Sequence, residues 1–185
     1  MMHRRFFLGG IALTGLAGCA VPFREQGEPR PEMARSYRLG GFSFTAPSNL
    51  IVSERESYYP TADIVWRGDP LGPRARQIER MFDDAYWRNA SLLNGTTPVR
   101  MDVTLVRFHG VTNRTRYSVG GVYNIVFDMT IRHASTGEVL EPTRRVAGNL
   151  SAPGGEEAVR LEEEGQTEKV RVTDYLTQLL RAQLI

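Results

Sequence analysis

The sequence predicts an α+β fold, in which an antiparallel sheet of about four to five strands carries two main helices packed on one face. Residues 119–131 alternate between apolar and polar side chains, which is the two-residue period of a half-buried strand. Residues 133–138 have the turn chemistry of a hairpin. Residues 172–184 place their apolar side chains at helical spacing instead. A sheet with one covered face buries both kinds of apolar surface.

The segment that opens the domain predicts short strands. Its apolar runs are too short for helices and are separated by turn-forming residues, and they lie at 42–44, 50–52 and 64–66. A cluster of glycines and prolines at 68–73 then interrupts the chain. We therefore expect about two or three short strands before the first helix.

One helix and one strand are expected after this glycine and proline cluster. Residues 78–85 place apolar side chains at helical spacing with charged residues between them. Asn94-Gly95 is a typical end for that helix. Apolar and more polar residues alternate over 99–105, which predicts the next strand.

The last third of the chain predicts a hairpin followed by helices. Gly137 can adopt the positive φ that a tight turn requires. The strand at 119–131 should therefore be followed by an antiparallel return strand that begins at Val139. A shorter helix is expected at 156–163, and the apolar helix at 172–184 should cover the sheet.

The first 19 residues have the layout of a bacterial export signal. Arg4 and Arg5 give a positive start, residues 6–18 are uncharged, and small residues precede Cys19, the only cysteine of the chain. The motif Leu16-Ala17-Gly18-Cys19 resembles the lipobox of bacterial lipoprotein precursors at all four positions. That resemblance implies cleavage before Cys19 and lipid attachment to it, and two or more acyl chains would anchor the protein stably.

Two alternatives stay open at the signal. An ordinary signal peptide could be cut elsewhere, which would leave Cys19 without a role. Arg4, Arg5, Phe7 and Leu8 also resemble the twin-arginine export motif, whereas a general secretory signal needs the two arginines only for its positive region. The residue after Cys19 is not the aspartate that retains many lipoproteins at the inner membrane, which favours outer-membrane anchoring facing the periplasm.

The chain divides into a signal peptide at 1–18, a lipid-anchored tether at 19–35 and a single periplasmic domain at 36–185. The tether is rich in proline and charge and has little to bury. The chain contains 23 Lys and Arg against 21 Asp and Glu, and two of the cations belong to the signal. The remaining charges balance, so no binding to nucleic acid is expected.

The sequence contains no recognisable catalytic or metal-binding motif. His109 and His133 lie far apart and share no ligand spacing with a cysteine or a carboxylate pair, so each is expected at a strand end or on the surface. The hydrolase signatures Gly-x-Ser-x-Gly and Ser-x-x-Lys and the phosphate loop are missing. We expect a protein that is not an enzyme and that needs neither a metal nor a cofactor.

A possible interface is predicted between the apolar run at 50–52 and the end of the run at 64–66. Tyr58, Tyr59, Trp66 and Arg67 lie in a region expected to be rich in loops, and aromatic and arginine residues are favoured anchors at interfaces. Packing of Trp66 in the core is the alternative role for that residue.

The order of elements in residues 62–185 resembles small periplasmic lipoprotein domains of unknown function and, more loosely, auxiliary lipoproteins of envelope transport systems. The resemblance implies a non-catalytic cell-envelope lipoprotein that binds a protein partner or serves in an envelope transport complex. A regulator or scaffold of cell-wall assembly is the alternative. An envelope hydrolase with an unrecognised site is the third class of function.

Overall fold

The computed structural model describes residues 34–185, so the expected signal, Cys19 and nearly all of the tether lie outside the described residues. Within that range the helices and strands follow one another along the chain. In order, they are β1 (Tyr37–Thr45), β2 (Ile64–Val65), α1 (Arg74–Trp87), β3 (Thr97–His109), α2 (Asn113–Arg116), β4 (Gly121–His133), β5 (Val139–Ala152), α3 (Glu156–Glu163) and α4 (Glu168–Leu184).

The strands form one sheet in the order β1-β3-β4-β5, and β2 pairs with β3 beyond the end of β1. Strands β3, β4 and β5 are antiparallel, whereas β1 and β2 run parallel to β3. The predicted α+β class is confirmed. One difference lies at the edge that contains β1, where β1 and β2 are parallel to β3 instead of antiparallel. The connection through α1 carries the chain back to the starting side, and such a crossover makes the joined strands parallel.

The hairpin between β4 and β5 is confirmed. The His133 N–H donates to the Glu138 carbonyl at 2.8 Å, and Gly137 has a φ of +76°. Strand β5 begins at Val139, as predicted, and extends to Ala152. The apolar run at 50–52 forms only an isolated bridge between Val52 and Ile64.

One face of the sheet is covered by α1 and α4, and the core lies between these layers. The buried side chains alternate along β3 and β4 and recur at helical spacing along the helices; they include Val99, Met101, Val103, Leu105, Ile125, Phe127, Met129, Ile78, Phe82, Leu176 and Leu180. Buried Asn89 joins the two helices, because its side-chain amide donates to the carbonyls of Ala85 and Thr177. The other face of the sheet is polar, as the predicted one-sided burial requires.

The sheet has two distinct ends. At the entry end, β1 begins beside the first residues of β3, and β4 and α4 finish there. At the far end lie β2, the last residues of β3, α2 and the first residues of β4 and α4. Strand β4 spans 13 residues, so the ends lie roughly 40 Å apart at about 3.3 Å per residue.

Candidate interaction surface

The loop at residues 53–62 is fastened to the far end of the sheet by side chains around α2. The Thr112 hydroxyl donates to the Ser57 carbonyl at 2.8 Å, and the Thr115 hydroxyl donates to the Tyr58 carbonyl at 2.7 Å. The backbone N–H of Arg114 donates to a Glu56 carboxylate oxygen at 3.3 Å. These bonds hold the loop backbone in one position although it has little regular structure.

Two tyrosine rings project from this fastened loop. Tyr58 is 52% exposed and Tyr59 is 72% exposed. The Arg114 guanidinium lies 4.4 Å from the centroid of the Tyr58 ring, and its hydrogen bond to the phenol lowers the pKa of Tyr58. The Tyr59 ring packs on His109 with centroids 4.5 Å apart, and its hydroxyl accepts from Arg107 at 3.1 Å. Both rings are therefore held in place by neighbouring side chains of the domain.

The surface around the tyrosines has an excess of positive charge. Within residues 34–185, Arg55, Arg107 and Arg114 form no salt bridge, whereas the nearby Glu54 and Glu56 are paired with other arginines. Exposed apolar side chains continue beyond α2 at Tyr117 and Val119. We call this the far-end surface, and it consists of Arg55, Tyr58, Tyr59, Arg107, Arg114, Tyr117 and Val119.

The structure separates the predicted interface of Tyr58, Tyr59, Trp66 and Arg67 into an exposed pair and a buried pair. Trp66 is 0% exposed and packs edge-on against Phe108, so it belongs to the core, the alternative role weighed from the sequence. Trp66 is large and mostly apolar, so its burial in the core contributes more to stability than its exposure at a surface would.

The Arg67 side chain is also buried, where it supports the loop from beneath. It pairs with Glu56 at 2.6 Å and with Glu54 at 3.2 Å, and it donates to the Ser53 carbonyl. Bonds to several loop groups at once restrict the backbone there. Tyr58 and Tyr59 are therefore the exposed residues of the predicted interface, and Arg67 supports their loop from below, whereas Trp66 packs in the core.

A buried carboxylate connects α4 to the far end of the sheet. Glu168 is 1% exposed, accepts from the Tyr123 hydroxyl and pairs with Arg116 at 3.2 Å. Arg116 also pairs with Glu162, which brings α3 into the network. Burial raises the pKa of the Glu168 carboxyl, and its partners only partly offset this effect. Solvent and solutes do not reach so deeply buried a group, so its role here is structural.

Both histidines lie at strand ends, as expected from the sequence. His109 is the last residue of β3 and is buried, and the Pro60 carbonyl 2.9 Å away can only accept, so Nε2 carries the hydrogen. Burial lowers the pKa of His109. His133 ends β4, where its Nδ1 accepts from the backbone N–H groups of Ser135 and Thr136.

Among residues 34–185, no three His, Cys, Asp or Glu side chains lie close enough together to hold a metal ion. No helix in this part of the chain combines the length and the apolar character needed to cross a membrane. The predicted lipidation site Cys19 and the export residues Arg4, Arg5, Phe7 and Leu8 lie outside the described residues.

Comparison with protein families gives one match, and comparison with curated proteins gives none. Residues 37–185 match the model of a family of unknown function, DUF6778. No curated protein matches the chain. The family match covers all the strands and helices described above.

Several solved structures are similar to the chain. A DUF330 protein from Xanthomonas campestris is 17% identical with a TM-score of 0.45, covering 87% of this chain and 95% of that one. PelC from Paraburkholderia phytofirmans, solved as a dodecamer, is 9% identical with a TM-score of 0.40, covering 88% and 98%. A minor lipoprotein from Acinetobacter baumannii is 11% identical with a TM-score of 0.29, covering 78% and 91%. Similarities this low assign neither a function nor an assembly to the chain.

Proposed function

The chain belongs to DUF6778, a family of unknown function, and we propose that it is a non-catalytic lipoprotein of the bacterial cell envelope whose far-end surface binds a protein partner. The proposal has two parts, a lipid anchor at Cys19 and a binding surface around Tyr58 and Tyr59.

The sequence of the first 20 residues supports the anchor. Leu16-Ala17-Gly18-Cys19 follows a positive start and an uncharged run, and residue 20 is an alanine, which favours the outer membrane with the domain facing the periplasm. At about 0.8 kcal/mol for each buried methylene, two or more acyl chains anchor a protein without help from its folded part.

Intact mass spectrometry of the protein extracted from membranes tests the anchor, with Cys19→Ser as the matched variant. We expect the wild type to begin at Cys19 and to carry added acyl mass, and the variant to lack that mass. A wild-type protein that is unmodified and cut at another residue would remove the anchor from the proposal. Fractionation of inner and outer membranes then decides where the anchored protein resides.

One observation carries the binding part: two tyrosines are held in fixed positions among arginines that form no salt bridge within residues 34–185. Tyrosine and arginine are among the residue types that dominate binding energy at protein interfaces. The chain as a whole has nearly balanced charge, whereas Arg55, Arg107 and Arg114 add positive charge beside these two tyrosines. Such a surface favours a partner that presents carboxylates.

Site-specific photocrosslinking in cells tests this surface. A photoreactive residue at Tyr59 should capture one partner, whereas the same residue at Val139, exposed at the entry end, should not. Charge reversal by Arg114→Glu should reduce the Tyr59 crosslink at least about tenfold, the change expected from about 1.4 kcal/mol. Equal capture from both positions, or capture that is insensitive to Arg114→Glu, would contradict the proposal.

The identity of the captured protein then separates the two roles considered for this lipoprotein. A subunit of an envelope transport system would make the chain an auxiliary component of that complex. A cell-wall synthase or hydrolase would favour a regulator or scaffold of cell-wall assembly.

A further inference from the structure

A groove lies between α4 and the last part of β5, on the edge of the domain away from β1. It has a volume of about 480 Å³, and its apolar lining comes mainly from Leu150 on the strand and from Tyr175, Leu179 and Ala182 on the helix. Gly148 makes room for the helix side chains, because a Cβ there would collide with the Tyr175 hydroxyl. An edge strand beside a helix is a geometry that accepts an extended segment.

The described chain begins next to this pair of elements. Arg35 forms a salt bridge with Glu141 of β5 at 2.8 Å, and the Tyr37 hydroxyl donates to the same carboxylate at 2.7 Å. Arg144 of β5 in turn contacts Gln183 near the end of α4. Residue 35 is therefore fixed at the entry end of β5 and α4.

The segment before Arg35 has the composition of a groove ligand. Residues 20–33 contain three prolines, together with Phe23 and Met33. Proline-rich segments favour an extended conformation with little entropy to lose, and they bind aromatic-lined grooves. Their charged residues can remain in solvent while the prolines and the phenylalanine contact apolar surface.

The lengths of the groove and of the segment agree. Leu150 is nine residues beyond Glu141 along β5, about 30 Å at about 3.3 Å per residue. In an extended proline-rich segment, Pro29 lies about 19 Å and Phe23 about 37 Å from Arg35, at about 3.1 Å per residue. The distance of about 30 Å from Glu141 to Leu150 therefore falls between the distances of Pro29 and Phe23 from Arg35.

We propose that residues 23–31 of this chain occupy the groove between α4 and β5, so that the segment before the domain is a docked strap instead of the free tether expected from its composition. A second copy of the chain is the other occupant that the groove geometry admits. The proposal does not depend on lipid at Cys19, because the salt bridge of Arg35 and the apolar groove exist without it.

Disulfide trapping in the full chain tests the strap. Cys19→Ser removes the only native thiol, and the pair Pro29→Cys with Gln178→Cys then places one thiol in the segment and one at the groove. The control pairs Pro29→Cys with Asp83→Cys, which is exposed on α1. We expect an intramolecular disulfide to form at least tenfold faster in the groove pair. Equal rates would overturn the proposal, and disulfide-linked dimers would assign the groove to a second copy.

Limited trypsin digestion of the full chain with Cys19→Ser provides a second readout. The bond after Arg24 should be protected while the segment is docked, and Phe23→Ala should accelerate its cleavage at least tenfold. Glu28→Ala is the matched control, because it removes a charge without removing apolar contact, and it should leave the rate unchanged. Cleavage of the unaltered segment at the rate of the isolated peptide would also overturn the proposal.

Discussion

Replacing Glu168 by alanine should destabilise the protein by about 2–5 kcal/mol, because two buried donors lose their acceptor. The Tyr123 hydroxyl donates to this carboxylate and lies in the core, and an unsatisfied buried donor costs about 1–3 kcal/mol. Arg116 is also buried and would retain only Glu162, which costs a similar amount. Urea denaturation of the purified protein, followed by circular dichroism, measures the loss.

Glu168→Gln is the informative control. The amide keeps an oxygen that accepts a hydrogen bond, and it removes a charge whose burial raises the pKa of the carboxyl. The Tyr123 hydroxyl and Arg116 use different oxygens of the carboxylate, and the amide has only one, so we expect glutamine to cost more than about 1 kcal/mol but less than alanine. If Glu168→Gln lowers the free energy of unfolding as much as Glu168→Ala does, the ion pair with Arg116 accounts for most of the stability that Glu168 contributes. If alanine costs less than about 1 kcal/mol, the network does not hold α4 in place and the reasoning is refuted.

Two further predictions concern His109 and the glycines with positive φ. Burial lowers the pKa of His109 in the folded protein. Below pH about 6.5 the unfolded state therefore binds more protons than the folded state, so the free energy of unfolding decreases as the pH is lowered. His109→Gln should reduce the loss between pH 7.5 and 5, measured as the difference in urea midpoints, and an unchanged loss would assign it to other groups. Gly120→Ala should be at least about 1 kcal/mol more destabilising than Gly137→Ala, since both have positive φ but only the first places a Cβ 2.5 Å from the Ala152 carbonyl. Equal midpoints for the two variants would show that the clash is relieved.

The parts of the fold that the sequence predicts well are those with local periodicity. Strand β4 alternates almost without exception, because one face meets the core and the other meets solvent. The hairpin at Gly137 and the apolar stripe of α4 are equally local signals. Each needs only neighbouring residues to be recognised.

Strand β5 is harder to predict because charged residues occupy inward positions. Glu141 and Arg144 are buried beside α4 and Arg35, where hydrogen bonds and ion pairs compensate their burial. Read along the sequence, they interrupt the alternation and hide most of the strand. The parallel direction of β1 is hidden for another reason, because an alternating pattern fixes a face and not a direction.

The candidate surface is predicted only in part, because its supports come from distant residues. The residue types of Tyr58 and Tyr59 point to an interface, but their positions depend on Thr112 and Thr115, more than 50 residues away. The contacts of Glu168 with Tyr123 and Arg116 likewise span 45 and 52 residues. Nothing local in the sequence marks these pairs.

The two proposals together fix an orientation for the anchored domain. Phe23 lies four residues after Cys19, so a docked strap holds the lipid within about 13 Å of the groove at about 3.3 Å per residue. The edge formed by β5 and α4 would then face the membrane. The loop that carries Tyr58 and Tyr59 precedes β2, which pairs with β3 on the side away from β4 and β5. Because the strap would run from Arg35 at the entry end past Leu150 near the far end, the lipid would lie at the same end of the sheet as the tyrosines but at the opposite edge.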